Sequence, residues 1–126
     1  MAMLLLMPLT VSNRVAAEEL SESDKFFLAD YEKMRAALAA DDLVRSNEVA
    51  AELTADGFPA AKSETLERAR AEFVKLSETA ITTAAKQPGY YVVHCPMLNR
   101  DWVQTSKQIS NPYGGKDLLT CGQIKE

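Results

Sequence analysis

A chain of 126 residues that is 47% hydrophobic and 25% charged, with only 5 glycines and 5 prolines, has the composition of one soluble globular domain. Its net charge is −4, and most lysines and arginines are interleaved with acids. That balance excludes nucleic acid or an anionic lipid surface as the main partner, because phosphate binding needs clustered cations.

The chain opens on MAMLLLMPLTV, an apolar run too short to span a bilayer, followed by SNRVAA and a pair of glutamates. Val15 and Ala17 stand where a signal peptidase wants small residues, so residues 1–17 are expected to be a signal peptide and 18–126 an exported domain. The basic residues that normally precede such a run are missing, as they would be in a signal peptide truncated at its start. The other reading is an apolar helical turn docked on the domain. No cysteine follows the run, which argues against a lipoprotein anchor. In an oxidising compartment, the chain's two cysteines would most simply form one disulfide.

From about Leu20 to Lys86 the pattern is helical. Leu20, Asp24, Phe27, Tyr31, Met34 and Leu38 form one stripe at spacings of three and four, broken by Asp24, with Ser21 or Ser23 as N-cap. Asp41 or Asp42 caps a second helix with a weaker, alanine-rich face of Leu43, Asn47, Ala50 and Leu53, closed by Asp56 and Gly57. Pro59 fits the first turn of a third helix or the loop before it, with Ser63 as an alternative N-cap. The third stripe is Leu66, Ala69, Phe73, Leu76, Ala80 and Ala84, ending at Gln87, Pro88 and Gly89. Short connections predict an up-down bundle of three helices.

After Pro88 the character changes. YYVVHC is β-branched and aromatic, which predicts a short strand, and the turn-rich remainder makes a small irregular lobe over about 88–126. Leu118 and Leu119 would start another short strand or a turn. The fold class is therefore mainly α, with a C-terminal lobe carrying a strand or hairpin.

The lobe holds the chemistry. His94, the only histidine, directly precedes Cys95, and Met97 follows two positions on. If the extended backbone persists through Pro96, Cys95 and Met97 share one side and His94 points to the other. With Cys121 they make a soft, sulfur-rich set suited to Cu(I), and its thiolates also suit zinc; His94 is a possible fourth ligand. The competing reading joins Cys95 and Cys121 as a disulfide staple, worth ~3 kcal/mol in the chain-entropy account. His94 would then be satisfied by a backbone carbonyl, and Met97 would be core filler. No catalytic constellation competes. The histidine has no partner serine or acid at recognisable spacing, no glycine-rich phosphate loop exists, and CPM replaces the CxxC of thiol oxidoreductases. The chain is not expected to be an enzyme.

The tail YYVVHCPMLNRDWVQTSKQISNPYGGKDLLTCG resembles the end of an exported bacterial family of unknown function, found alone or appended to periplasmic adaptor subunits of copper and silver efflux pumps. The resemblance rests on His94, Cys95, Pro96, Met97, Asp101, Trp102, Asn111, Pro112, Tyr113, Gly115, Cys121 and Gly122, and on Arg70, Phe73, Leu76 and Ser77 of the last helix. It implies a periplasmic helical domain tied to heavy-metal handling, with an efflux component as partner and no membrane contact after signal cleavage. Leu118 stands where that family carries a methionine, and Leu98, Asn99 and Arg100 replace its small, glycine-containing loop. Trp102 is expected to pack over the lobe. Asn111, Pro112, Tyr113 and Gly115 are assigned to turn geometry, and the resemblance implies a structural role for Gly122 in the cysteine–glycine pair.

Overall fold

The computed structural model describes residues 19–126; the expected signal peptide lies outside them. Three helices come first: α1 (Glu22–Ala39), α2 (Leu43–Ala55) and α3 (Leu66–Ala84). Each begins on a side-chain cap that satisfies a free N–H of the first turn. Ser21 accepts from Asp24 N, Asp42 from Arg45 N and Thr65 from Arg68 N. Gly57, at φ 93°, closes the second helix in the left-handed conformation that glycine adopts without strain.

The third helix starts at Leu66, later than Pro59 or Ser63 would place it. Pro59 belongs to the preceding loop. Ser63 is buried there because Asn47 of α2 grips its backbone twice: Nδ2 donates to Ser63 O and Oδ1 accepts from Ser63 N, both at 2.8 Å. A long-range amide clamp thus outcompetes a local cap.

The helical stripes meet in one core. Phe27, Leu28, Tyr31 and Leu38 of α1 pack with Val49 and Leu53 of α2 and Phe73 of α3. Tyr31 stacks on Phe73 with ring centres 4.7 Å apart. Full burial of each such side chain contributes roughly 1.5–3 kcal/mol.

The lobe is built on three antiparallel strands, β1 (Tyr91–Cys95), β2 (Arg100–Gln104) and β3 (Gln123–Ile124), in the order β2-β1-β3. Both sheet faces are covered. Val92 and Val103 face the helical core, whereas Val93, Cys95 and Trp102 face a second cluster closed by Leu98, Ile109, Tyr113, Cys121 and Ile124. Leu118 and Leu119 fall at a short 3₁₀ turn, Lys116–Leu118, and not at a strand. Among the described residues, no helix is long and apolar enough to cross a membrane.

Candidate functional site

Register decides which side chains meet. In the β1–β2 hairpin, His94 lies opposite Asp101 and Cys95 opposite Arg100. Alternation then sends the two neighbours apart. Cys95 turns into the second cluster and is 0% exposed, while His94 stands on the opposite face. There its Nδ1 lies 2.5 Å from Asp101 Oδ1, and Lys125 Nζ lies 3.0 Å from Asp101 Oδ2. Burial pulls the Asp101 carboxyl upward, but the hydrogen bonds and charges of His94 and Lys125 outweigh it and hold it below the ordinary carboxylate range. His94 is thus bonded to a carboxylate on the far side of the sheet from both cysteines, not to a backbone carbonyl.

The cysteines are brought together from 26 positions apart, with their Sγ atoms 2.6 Å from each other. Cys95 is fixed within the ladder. Cys121 sits in the connection between the 3₁₀ turn and β3, half-buried, with its N–H bonded to Leu118 O. The contact with Cys95 raises the Cys121 thiol pKa, burial adds to the rise, and the backbone N–H of Met97 works against it. Met97 therefore approaches Cys121 through its backbone. Its side chain is 72% exposed, because the strand ends at Cys95 and residues 96–99 turn, with Asn99 at φ 50°. The extended geometry that would have placed Met97 beside Cys95 on one strand face does not persist through Pro96.

What holds Cys121 in place is a set of polar latches. Asn111, fully buried, donates from Nδ2 to Cys121 O at 2.9 Å and accepts at Oδ1 from Tyr113 N at 2.7 Å. Asn111 N donates to Leu119 O. Gly122 fits because it has no side chain: a Cβ there would lie 2.7 Å from Val93 and 3.0 Å from the Trp102 ring. Gly115 turns at φ 66°, a conformation that favours glycine. Trp102 is buried in the lobe's own core and donates from Nε1 to Gln104 Oε1.

The helices anchor the same segment. Arg35 donates to Ser110 O, and Arg70 donates to Pro112 O, Leu38 O and Asp41 Oδ1. Tyr113 reaches inward, where its hydroxyl lies 2.6 Å from Ser77 Oγ, and Ser77 Oγ lies 2.7 Å from the Tyr31 hydroxyl. Val103 N–H donates to Tyr31, so a chain of hydroxyls ties sheet, loop and bundle together. Burial pushes Tyr113 up to about 12 and Tyr31 higher still, so both remain neutral donors.

From sequence, Arg35 and Gln104 carried no signal, and Tyr31 stood only as a member of the first helix's apolar stripe. Arg70 and Ser77 entered only through the family resemblance. The one available signal for the rest is a polar residue lying on an otherwise apolar helix face, as Tyr31 and Ser77 do.

The donor set fits a soft, low-coordinate ion in one way. Two thiolates about 2.3 Å from a metal, at tetrahedral or wider angles, stand about 4 Å apart or more, so the sulfurs must separate from their present contact. Cys95 is fixed in the β1–β2 ladder, so that separation would have to come from the Cys121 segment, against the Asn111 latch. Among the described residues no group of three or more His, Cys, Asp or Glu side chains is placed to hold a metal. A metal held here would rest on the two thiols; the other sulfur of the region, Met97, is exposed at the adjoining turn. In comparisons with known proteins, no family model, no curated protein and no solved structure matches the chain.

Proposed function

We propose that this chain is an exported, non-catalytic module that takes up a soft cation, Cu(I), through Cys95 and Cys121, with Met97 folding over from the hairpin turn. The observation that carries the reading is the meeting of two thiols beside the backbone of an exposed methionine, with no charged oxygen donor among them. Thiolates and a thioether select Cu(I) over oxygen-favouring ions. His94 is left out of the ligand set, because it is engaged with Asp101 across the sheet. The tail's resemblance to proteins appended to copper and silver efflux adaptors supports the same assignment, and makes a periplasmic efflux component the natural partner. The ion is cargo rather than a resident cofactor.

The test is an anaerobic Cu(I) competition titration on reduced protein beside Cys95→Ser, Cys121→Ser, Met97→Leu and His94→Gln. One equivalent should bind tightly, collapse in either cysteine variant, weaken in Met97→Leu and persist in His94→Gln. Affinity no greater than that of an unrelated dithiol rejects the reading.

A second reading is favoured by the complete burial of Cys95 among apolar side chains. There the pair serves as a disulfide that closes the lobe, and the domain is a structural or protein-interaction module. Reduced protein that loses its fold and is not rescued by Cu(I) would select this reading.

A further inference from the structure

The two sulfurs differ in access, and that difference determines how an oxidised pair can be reopened. Cys95 is 0% exposed, held in β1 and surrounded by Val93, Trp102 and the turn. Cys121 is half-buried at the rim, between exposed Thr120 and the Gly122–Gln123 step into β3. Pro96 and Met97 stand exposed at the neighbouring turn, giving a small apolar footing beside it. Thiol–disulfide exchange depends on which sulfur an incoming thiolate can reach.

We infer that a dithiol protein reopens the oxidised pair by attacking Cys121 and not Cys95, so that soft-cation loading is gated by thiol–disulfide exchange at this one sulfur. The gating rests on the soft-cation reading for its purpose, but the exchange chemistry stands apart from it. The partner's thiolate forms a bond to Cys121 Sγ as the Cys95–Cys121 bond breaks. The electron pair leaves on Cys95 Sγ, which takes a proton from water. The partner's second thiolate then attacks its own first sulfur, releasing Cys121 as thiolate and leaving the partner as a disulfide. Two electrons pass from partner to chain, and no other reductant is needed.

The structure also explains why the leaving sulfur stays in place. Cys95 is fully buried and held by the β1–β2 ladder, whereas Cys121 lies outside the ladder between the 3₁₀ turn and β3 and is only half-buried. The mixed disulfide therefore forms on the more exposed sulfur of the pair. Reduction leaves two thiols for a cation, the buried one in the ladder and the accessible one at the rim.

The experiment mixes the air-oxidised full chain with a thioredoxin-fold CxxC protein whose second cysteine is replaced by serine, then acid-quenches, alkylates and digests for mass spectrometry. The expected product is a mixed disulfide on Cys121 with Cys95 alkylated. An adduct on Cys95 overturns the proposal, as does no adduct where an exposed control disulfide is trapped, or a chain whose thiols are both already free. As a second readout, maleimide should label Cys121 in native Cys95→Ser at least about tenfold faster than Cys95 in native Cys121→Ser. Equal rates overturn it too. If Cu(I) fails to bind while the adduct maps to Cys121, the cargo assignment falls and the exchange route stands.

Discussion

Replacing Asn111 with alanine tests whether one buried amide holds the thiol pair together. The substitution removes the bond to Cys121 O at 2.9 Å and the bond from Tyr113 N at 2.7 Å, and it leaves both backbone groups inside the protein without their partner. A net loss of about 1 kcal/mol per bond, plus the desolvation penalty of the stranded groups, comes to about 3 kcal/mol. For a domain of this size that lowers Tm by roughly 12 °C or more, measurable by circular dichroism on the reduced protein. The thiol pair should suffer as well. With Cys121 released, its effective concentration against Cys95 falls, and the disulfide should re-form in a glutathione buffer with an equilibrium constant roughly tenfold lower. Asn111→Asp sharpens the case, because the carboxylate keeps an acceptor for Tyr113 N but cannot donate to Cys121 O. Protonation restores a donor, so this variant should gain stability as pH falls from 7 toward 4. A Tm within about 2 °C of wild type for Asn111→Ala, or no pH recovery in Asn111→Asp, would refute the latch.

Gly122→Ala puts a methyl 2.7 Å from Val93, 2.9 Å from Ile109 and 3.0 Å from Trp102, and should cost roughly 1–3 kcal/mol in urea unfolding; an unchanged midpoint would mean that β3 yields freely. Asp30 is buried near Asp56 with Oδ2 unpartnered, and burial followed by Asp56 raises its pKa to about 6. An acid whose folded pKa lies above its unfolded value of 3.8 favours the native state at low pH, and that benefit is lost as pH rises from about 4 to 6. Asp30→Asn should therefore stabilise the chain by about 1–3 kcal/mol at pH 7.5 and by little at pH 4; a gain independent of pH would contradict this. Ser77→Ala removes the hydroxyl shared by Tyr31 and Tyr113, with an expected loss of about 2 kcal/mol and non-additivity with Tyr113→Phe of about 1 kcal/mol in a double-mutant cycle. Strict additivity would break the hydroxyl chain into independent contacts.

The helices were legible because their signals are local. Ser21 and Asp42 cap, Gly57 terminates, and the stripes through Phe27, Tyr31, Leu53 and Phe73 recur at helical spacing and end up in the core. Local rules failed where distant residues intervene. Asn47 claims the backbone of Ser63, so the third helix waits for Thr65. The first strand was readable from YYVVHC, and simple alternation separates His94 from Cys95. The second strand was less so, because RDWVQ alternates poorly and is specified by its register against β1. Met97 could not be placed without knowing that residues 96–99 turn. The proximity of Cys95 and Cys121 depends on Asn111, Gly122 and the arginines of two helices, none of which signals across sequence separations of tens of residues.

The proposed soft-cation site is made of sulfur and excludes the histidine. X-ray absorption on reduced protein carrying one equivalent of Cu(I) tests it most directly. The expected spectrum has two or three sulfur scatterers at about 2.3 Å and no imidazole signature. A spectrum with an imidazole nitrogen in the shell would contradict it, since His94 reaches the cation only if the sheet that separates it from the thiols comes apart.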